Sequence, residues 1–268
     1  MMKLYIKAVS SFKSDLKDFD VRKELKSKYK IDTRRQDAFI HLAVYGAQML
    51  KETVSIKVDD ELYITSGVGN IDILQKTNLY VFEEKEFIKP FDFINMLGNT
   101  TSYYVASSLG IKSKNTFQIS DNFTFIKSLI SIYASLKISK KEAILGSVDL
   151  ATKPQEVIQR VLGVDEDISI LSSVNYQKLS LDDSDAVASI EFDVKNYSLE
   201  EVKQLQKTLD TKIIISRRCE NLNSTKEDYF FETMASLVVN SAIEKMEDII
   251  YIECFENTYK VLKIMNLR

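Results

Sequence analysis

The sequence predicts a layered α/β fold. Segments with the alternation of strands and segments with the apolar spacing of helices follow one another along the chain. Hydrophobic residues make up 45% of the 268 residues, which is enough for a substantial core. Only 7 residues are glycine and 2 are proline, about 3% of the chain, against roughly 12% in average proteins. This composition excludes disordered and collagen-like chains and argues against a glycine-rich phosphate loop.

The first half of the chain alternates regularly between the two kinds of segment. The helix predicted over 35–52 places Phe39, Leu42 and Leu50 on one face. A second predicted helix, 101–109, stops at Gly110, where a left-handed cap is needed. The other predicted elements of this half are strands at 4–9, 61–66, 117–120 and 142–150, and helices from about Ile71 and over 124–136.

The second half is less regular. Ser198 and Glu201 form a capping box, and the helix that follows has an apolar stripe of Leu199, Val202, Leu205 and Leu209. The other predicted elements are half-buried strands at 168–179 and 186–194, a strand at 212–216, the longest helix at 227–247, and a hairpin of 249–254 with 259–264. Because no linker divides the chain, we expect one domain, 1–268, of two similar halves, 1–160 and a shortened 161–268.

Charge and cysteine content narrow the class of protein. The net charge is −3 without a long single-sign block, so nucleic acid is not an expected ligand. Cys219 and Cys254 are too few for a disulfide framework and lack metal-ligand spacing, which fits a reducing cytoplasm. Lys3 and Lys7 interrupt the apolar N-terminal stretch, so neither a signal peptide nor a membrane span is expected.

Few residues suggest catalysis. His41 is the only histidine and lies within a predicted helix, where a packed histidine is the simpler interpretation. Cys219 follows Arg217 and Arg218, which could lower a thiol pKa, although no second histidine exists to act as its base. Cys254 is expected in the core. The acidic runs 182–185 and 165–167 have turn composition, so no metal site and no cofactor are predicted.

The stretch from Lys89 to Pro154 resembles the N-terminal half of the β-ketoacyl synthases. Flanking segments extend the resemblance: the Arg34-to-Phe39 entry to a helix, the Gly67-Val68-Gly69 turn, and the turn at 255–259. The motifs that carry it within the stretch are Pro90-Phe91, Asn99, Leu109-Gly110-Ile111, the 117–120 strand, the helix from Thr124 and Gly146-Ser147-Val148. The resemblance implies a thiolase-like α/β/α/β/α fold that is reduced in its second half.

The departures from that family indicate a closed active site. The position of the family's nucleophilic cysteine falls on Asn122 or Phe123, and neither side chain can attack a thioester. The family's two catalytic histidines have no counterpart, since His41 lies in another segment. Residues that could plug a pocket or line it are Tyr103, Tyr104, Phe123, Phe125, Phe255, Glu256 and Asn257.

The resemblance therefore implies a catalytically silent homologue. Such members resemble chain length factors, which pair with an active ketosynthase, and acyl carrier protein is a possible further partner. In that fold the dimer interface includes the strand before the nucleophile, here with Asn115, Phe117 and Ile119. Two alternatives stay open: an acyl-transfer enzyme with its nucleophile relocated to Cys219 or Ser120, and a homodimeric scaffold that binds acyl groups or carrier protein without turnover. The pathway could be fatty-acid, polyketide or aryl-polyene-type biosynthesis.

Overall fold

The computed structural model describes residues 1–17, 19–152, 155–208, 211–219, 221–222 and 228–267. Within these ranges the α-helices are α1 (Val21–Ser27), α2 (Ala38–Thr53), α3 (Ile71–Asn78), α4 (Pro90–Met96), α5 (Gly98–Leu109), α6 (Thr124–Ser139), α7 (Gln155–Leu162), α8 (Leu199–Thr208) and α9 (Met234–Glu244). A π-helical segment, Leu79–Glu84, follows α3. The strands are β1 (Met2–Ser14), β2 (Glu61–Ser66), β3 (Asn115–Ile119), β4 (Ala143–Asp149), β5 (Ser169–Ile170), β6 (Ser172–Ser180), β7 (Ala188–Phe192), β8 (Lys212–Ile215), β9 (Tyr229–Phe230), β10 (Ile249–Phe255) and β11 (Thr258–Asn266).

Nine strands form one sheet in the order β3-β2-β4-β6-β1-β7-β11-β10-β8. In the first part, β2 runs parallel to β4, and β4, β6 and β1 follow in antiparallel pairs. The second part repeats this pattern, with β8 parallel to β10 and with β10, β11 and β7 antiparallel. The two parts meet where β1 pairs with β7. In the described ranges the second part has no strand that corresponds to β3. The division of the chain into halves at 160 and 161 stays a prediction.

The two parts of the sheet pack in layers with the helices. Helices α6 and α9 lie in a central layer, where Leu129 and Val239 share one core with Leu145 of β4 and Tyr251 of β10. Helices α2 and α5 cover the opposite face of the first part, and α8 covers that of the second part. Neighbouring residues on one strand face different layers: Leu145 faces the central helices, and Ile144 faces α2. The predicted α/β/α/β/α layering is confirmed.

Several local predictions are confirmed by the backbone. Gly110 ends α5 with φ of 78°, the left-handed conformation expected of a glycine cap. At the start of α8 the Ser198 amide donates to Glu201 Oε2 at 2.8 Å, and the Glu201 amide donates to Ser198 Oγ at 3.3 Å. These two bonds complete the capping box. No helix in the described part of the chain has both the length and the apolar character needed to cross a bilayer.

Two secondary-structure predictions are wrong. The long helix expected over 227–247 is instead β9 followed by α9, because β9 pairs with β5 and Thr233 donates its amide to Asp149 Oδ2 at 2.9 Å. Strand β6 is buried along its whole length rather than on one face, since it lies at the centre of the sheet between β4 and β1. Two residues assigned to helices from the sequence, Leu209 and Glu227, lie outside the described residues.

Candidate functional site

The turn from β3 into α6 occupies the position where the sequence comparison places the missing nucleophile. Phe123 is the residue before the first turn of α6, and its φ of 48° puts it in the left-handed region. This conformation is uncommon for a residue other than glycine and indicates a sharply turned backbone. The Phe123 side chain is buried, with 6% of its surface exposed. An aromatic ring is therefore buried at the head of α6.

A polar cluster surrounds this turn. The Lys127 ammonium donates to Ser120 Oγ at 2.7 Å and to Asn122 Oδ1 at 2.6 Å. The Ser120 hydroxyl in turn donates to the Asn122 carbonyl oxygen at 2.8 Å. Asn122 is half-buried, so its amide braces the turn from one side. Of the residues near the former nucleophile, Ser120 is the one that has both a hydroxyl group and an amine beside it.

A buried ion pair lies beneath the turn. Glu232 is 3% exposed, and its Oε2 lies 2.6 Å from Arg218 Nη1. Thr124 donates its hydroxyl to Glu232 Oε1 at 3.2 Å, which ties the carboxylate to the start of α6. Burial raises the pKa of Glu232 well above its ordinary value, while the Arg218 charge acts in the opposite direction. Arg218 also donates to the Leu162 carbonyl at 2.6 Å, so the guanidinium joins α7 to this site.

Asp149 holds the turn that follows β2 in place. Its Oδ1 accepts from the Gly67 amide at 2.9 Å and from the Ser66 hydroxyl at 3.1 Å. Its Oδ2 accepts from the Thr233 hydroxyl at 2.7 Å. Burial raises the Asp149 pKa, and these donors oppose the rise. Gly67 is needed here, because a Cβ atom at this position would lie 2.1 Å from Glu232 Cβ.

Glu253 is a third buried carboxyl group. It follows Ile249 and Tyr251 on the face of β10 that is directed at the central helices, and 5% of its surface is exposed. Its Oε2 has no hydrogen-bond partner among the described residues. Burial raises the pKa of Glu253 to about 7, with the charges of Arg218 and Lys127 acting against the rise. Glu253 is thus a buried carboxyl group with a pKa of about 7.

These groups surround the turn with polar contacts. Thioester attack in the resembled family needs a thiol at the turn into the helix, where this chain has Asn122 and Phe123. The only histidine, His41, is buried in α2 with its Nε2 3.3 Å from the Thr33 carbonyl. Burial lowers its pKa, which favours the neutral ring. No group of three or more metal-ligating side chains is found in the described ranges. The polar contacts therefore hold the turn at the head of α6 in place.

The two cysteines are paired, contrary to the expectation of free thiols. Cys219 follows β8, Cys254 lies near the end of β10, and their sulfur atoms form a disulfide with the Cα atoms 5.4 Å apart. The sequence separation hid this pairing, because it arises when β8 and β10 run side by side. Cys219 is also 1% exposed. A bonded, buried sulfur cannot act as a nucleophile, so the relocation of catalysis to Cys219 is wrong.

The residues proposed to plug or line a pocket separate into three groups. Phe123 and Phe125 are buried, and Phe125 lies in the central core. Tyr103 is 62% exposed on α5, with its ring 5.5 Å from that of Tyr104, which packs on the outer core of the first half. Phe255 is half-buried, and the two residues that follow it are exposed at the tip of the β10–β11 hairpin.

The residues at the tip of the β10–β11 hairpin correct the prediction that they plug or line a pocket. Glu256 and Asn257 cannot fill a cavity at the head of α6, because the hairpin directs them to solvent. Glu256 instead makes the turn, with a φ of 53°. Tyr103 likewise faces solvent rather than a pocket. Of the residues proposed as plugs, Phe123 lies at the turn into α6, next to Asn122, the other position that the resemblance offers for the nucleophile.

Strand β3 is the outer edge of the sheet. It pairs with β2 on one side, and in the described ranges nothing pairs with the other. The predicted interface residues differ in what they offer: Asn115 accepts from the Ser102 hydroxyl at 3.3 Å, and the Phe117 ring packs against Phe39. Ile119 is 57% exposed. The edge therefore offers a partner its backbone and the exposed side chains of Asn115 and Ile119, whereas Phe117 is half-buried.

An apolar surface continues from this edge. The segment 79–97 leads into α5 at Gly98, which lies so close to Phe117 that a Cβ atom there would be 2.3 Å from the ring. Within the segment the exposed large hydrophobic residues are Leu79, Val81, Phe82, Phe87, Phe91, Phe93, Ile94 and Leu97. Exposed apolar surface of this extent is typical of an interaction site. We name it the aromatic segment.

Comparison with solved structures decides the fold. The ishigamide ketosynthase/chain length factor superposes with a TM-score of 0.75 at 10% identity, over 99% of both chains. The fold is that of ketosynthases and chain length factors. A β-ketoacyl synthase from Burkholderia phymatum has a TM-score of 0.68 at 8% identity over the whole of both chains. A ketosynthase in complex with its chain length factor from Xenorhabdus doucetiae has a TM-score of 0.58 at 9% identity, over 98% of this chain and 100% of that chain. No protein-family model matches the sequence, and no curated protein does.

Sequence reasoning identified the turn of this ketosynthase-like fold but missed the groups around it. Lys127 lies seven residues beyond Ser120, on the first turns of α6. This spacing alone does not predict a contact, because the contact depends on how the chain turns between β3 and α6. Glu253 left a visible signal, since it is an acidic residue within the apolar run IIYIECF. Glu232 is similarly placed among apolar neighbours in YFFETM. An acidic residue in an otherwise apolar strand is informative, because charged side chains are seldom buried without a partner.

Proposed function

We propose that this chain is a non-catalytic partner subunit of an active ketosynthase, similar in role to a chain length factor, in polyketide or related acyl-chain biosynthesis. The observation that carries the proposal is Phe123 at the start of α6. A buried phenyl ring lies at one of the two positions, Asn122 and Phe123, where the resemblance places the nucleophile, and the single histidine of the sequence lies in α2. Loss of the nucleophile and of both histidines removes covalent catalysis and oxyanion stabilisation together.

The geometry of β3 supports pairing. A strand with one unpaired side can extend its sheet by hydrogen bonding to a strand of another chain. The aromatic segment adds apolar area beside this edge, which would strengthen a contact made there. Among the structural neighbours is a ketosynthase bound to its chain length factor. A partner that resembles this chain's own fold is therefore the natural occupant of the edge.

The experiment is co-expression with tagged ketosynthases encoded near this gene, followed by affinity purification and native mass spectrometry. We expect a one-to-one complex. The variant Ile119→Lys places a charge at the edge and should weaken the complex at least roughly tenfold, or about 1.4 kcal/mol. The matched control is Val194→Lys, since Val194 is 68% exposed after β7, far from β3 in the sheet order.

The outcomes distinguish the proposal from the alternative functions. A chain that remains monomeric with every such ketosynthase contradicts it. A stable homodimer that Ile119→Lys dissociates favours a scaffold that binds acyl groups or acyl carrier protein without an active partner. Equal weakening by both lysine variants would show that β3 is not the contact.

A second candidate function rests on the contact between Lys127 Nζ and Ser120 Oγ, 2.7 Å apart. Serine paired with lysine is an established arrangement for acyl transfer. In that reaction Ser120 Oγ would bond to the thioester carbonyl carbon while its proton passes to the Lys127 amine. The C–S bond would then break, and the leaving sulfur would take that proton from Lys127 and depart as a thiol. Intact mass measurement after incubation with an acyl thioester tests it. An adduct that Ser120→Ala abolishes establishes acyl transfer, and an unmodified protein supports the non-catalytic role.

A further inference from the structure

A groove of about 440 Å³ lies beside the edge strand β8, away from the head of α6. Every residue from Lys212 to Arg217 lines it, although neighbouring side chains of a strand point to opposite faces. The groove therefore follows the backbone edge of β8 rather than one of its faces. Residues of α9 form the other wall and recur at intervals of three or four: Met234, Leu237, Val238, Ser241, Ala242 and Lys245.

The outer side of β8 offers backbone hydrogen-bonding groups. The Ser216 amide donates to the Ile252 carbonyl of β10 at 2.8 Å. Because backbone groups alternate along a strand, the amides and carbonyls of Ile213 and Ile215 point away from β10. In the described ranges no strand pairs with that side, whereas in the first part of the sheet β3 takes the equivalent place outside β2. β8 thus leaves open a place that a strand occupies in the first part.

The groove is basic at both of its ends. Since α9 leads into β10, its last turn lies at the start of β8, where Lys212 and Lys245 line the groove. Arg217 lines the opposite end, where β8 ends and α9 begins. Lys13 lies at that end as well, because its ammonium donates at 2.6 Å to the hydroxyl of Tyr229, which shortly precedes α9.

The charge of the lining distinguishes between candidate occupants. The four cations and the carboxylate of Glu247 give the lining a net charge of +3, although the whole chain carries −3. A second copy of the chain joined edge to edge at β8 would bring two such linings together, and like charges repel. A small anion would leave the apolar wall of α9 and the outward amides of β8 unused. An extended peptide with acidic ends and an apolar middle would use all three features.

The length of the groove sets the length of that peptide. From Met234 to Lys245 the wall of α9 extends about 16 Å at about 1.5 Å per residue. A strand rises about 3.3 Å per residue, so about five residues span the distance between the two basic ends. Between these ends the walls carry apolar side chains, with Ile214 on β8 and Val238 on α9. Acidic residues at both ends of the peptide would meet cations whichever way the strand runs.

We propose that β8 binds an extended segment of a partner protein, which adds to the sheet as a further strand. About five residues of alternating apolar character lie along the groove, and acidic residues flank them on both sides. Hydrogen bonds to Ile213 and Ile215 supply affinity, and the apolar side chains that face α9 supply specificity. β8 and β3 are opposite ends of the nine-stranded sheet, so this site is independent of the pairing through β3.

Titration calorimetry of the full chain with synthetic peptides tests the proposal. The probe is acetyl-Glu-Glu-Val-Thr-Val-Thr-Val-Glu-Glu-amide, for which we expect saturable one-to-one binding. The same peptide with lysine in place of each glutamate should bind at least roughly tenfold more weakly, because its ends meet cations. The acidic peptide with N-methyl groups on its central amides should also bind at least roughly tenfold more weakly, because it cannot pair with β8.

A double variant tests the charges from the side of the protein. Lys13→Glu with Lys245→Glu reverses one charge at each end of the groove and should weaken the acidic peptide at least roughly tenfold. Both lysines are exposed, so the fold should be retained, as circular dichroism will show. The matched control is Lys51→Glu with Lys137→Glu, which reverses two exposed lysines on α2 and α6 and should leave the affinity within about twofold.

Several results would overturn the assignment. Absence of saturable binding rejects the site, and equal affinity for the acidic and the lysine peptides rejects selection by charge. Undiminished binding of the N-methylated peptide rejects strand addition. Affinity that survives the Lys13→Glu and Lys245→Glu pair places the peptide elsewhere, and if that variant does not fold, the three peptides still decide. A dimer in sedimentation experiments that the acidic peptide dissociates would assign the edge of β8 to a second copy of the chain.

Discussion

The buried carboxyl group of Glu253 should make the stability of this protein fall as the pH rises. Its pKa is about 7 in the folded chain, against an ordinary value of 4.5, because burial disfavours the charged form. Between these two values the native state holds a proton that the unfolded state has released. Stability therefore decreases with rising pH across this window. Replacing Glu253 with glutamine removes the titration and keeps the shape.

The size of the effect follows from the two pKa values. One unit of pKa difference corresponds to about 1.4 kcal/mol, so the rise from 4.5 to about 7 amounts to about 3 kcal/mol. At pH 4.5 the wild type and Glu253→Gln should have nearly equal free energies of unfolding. At pH 8 the variant should be more stable by about 3 kcal/mol.

Urea denaturation at a series of pH values, followed by circular dichroism, measures this difference. The control is Glu256→Gln, an exposed residue on the same hairpin, which should show no pH-dependent gain. Glu232 and Asp149 are present in every variant. The charge of Glu253 contributes to the raised pKa of Glu232, so the difference between variant and wild type includes that interaction. If the difference between Glu253→Gln and wild type is constant from pH 4.5 to pH 8, Glu253 is not an unpaired buried acid and the description of the site is wrong.

Three further predictions follow from the same structure. Phe123→Cys should place a thiol at the head of α6 without creating condensation activity, because no histidine joins it; product formation in an assay with acyl and malonyl thioesters would refute this. Gly67→Ala should lower the free energy of unfolding by about 1–3 kcal/mol in urea titrations, since the added Cβ would meet Glu232. Gly110→Ala should lower it by about 1–2 kcal/mol, because the positive φ of this residue disfavours a side chain. Reduction of the Cys219–Cys254 disulfide should lower the free energy of unfolding by about 3–4 kcal/mol for a 35-residue separation, and alkylation of two thiols in unreduced native protein would contradict the pairing.

The sequence predicted an element correctly where a few adjacent residues determine it. The strand 61–66, the glycine cap of α5 and the capping box of α8 each depend on a few adjacent residues, and each is confirmed. The order of the strands could not be derived from such patterns. The pairing of β1 with β7, or of β8 with β10, joins residues far apart in the chain, and local periodicity carries no information about it.

The candidate site shows the same limit. Resemblance to a family located the turn at Asn122 and Phe123, because the motif around it is contiguous. The partners of that turn come from other parts of the chain: Arg218 follows β8, Glu232 precedes α9 and Glu253 lies in β10. The disulfide was missed for this reason as well. The predicted helix over 227–247 failed because Asp149, a distant residue, binds the backbone at Thr233 and fixes the chain there.

The most direct test of the central claim is an elongation assay that compares this chain, its partner ketosynthase and the two together. Products are resolved by mass spectrometry after incubation with acyl and malonyl carrier-protein substrates. We predict that the chain alone forms no β-ketoacyl product. We also predict that the pair forms product of a defined length, which the ketosynthase alone does not form. A condensation product made by this chain alone, and lost in its Ser120→Ala variant, would contradict the claim.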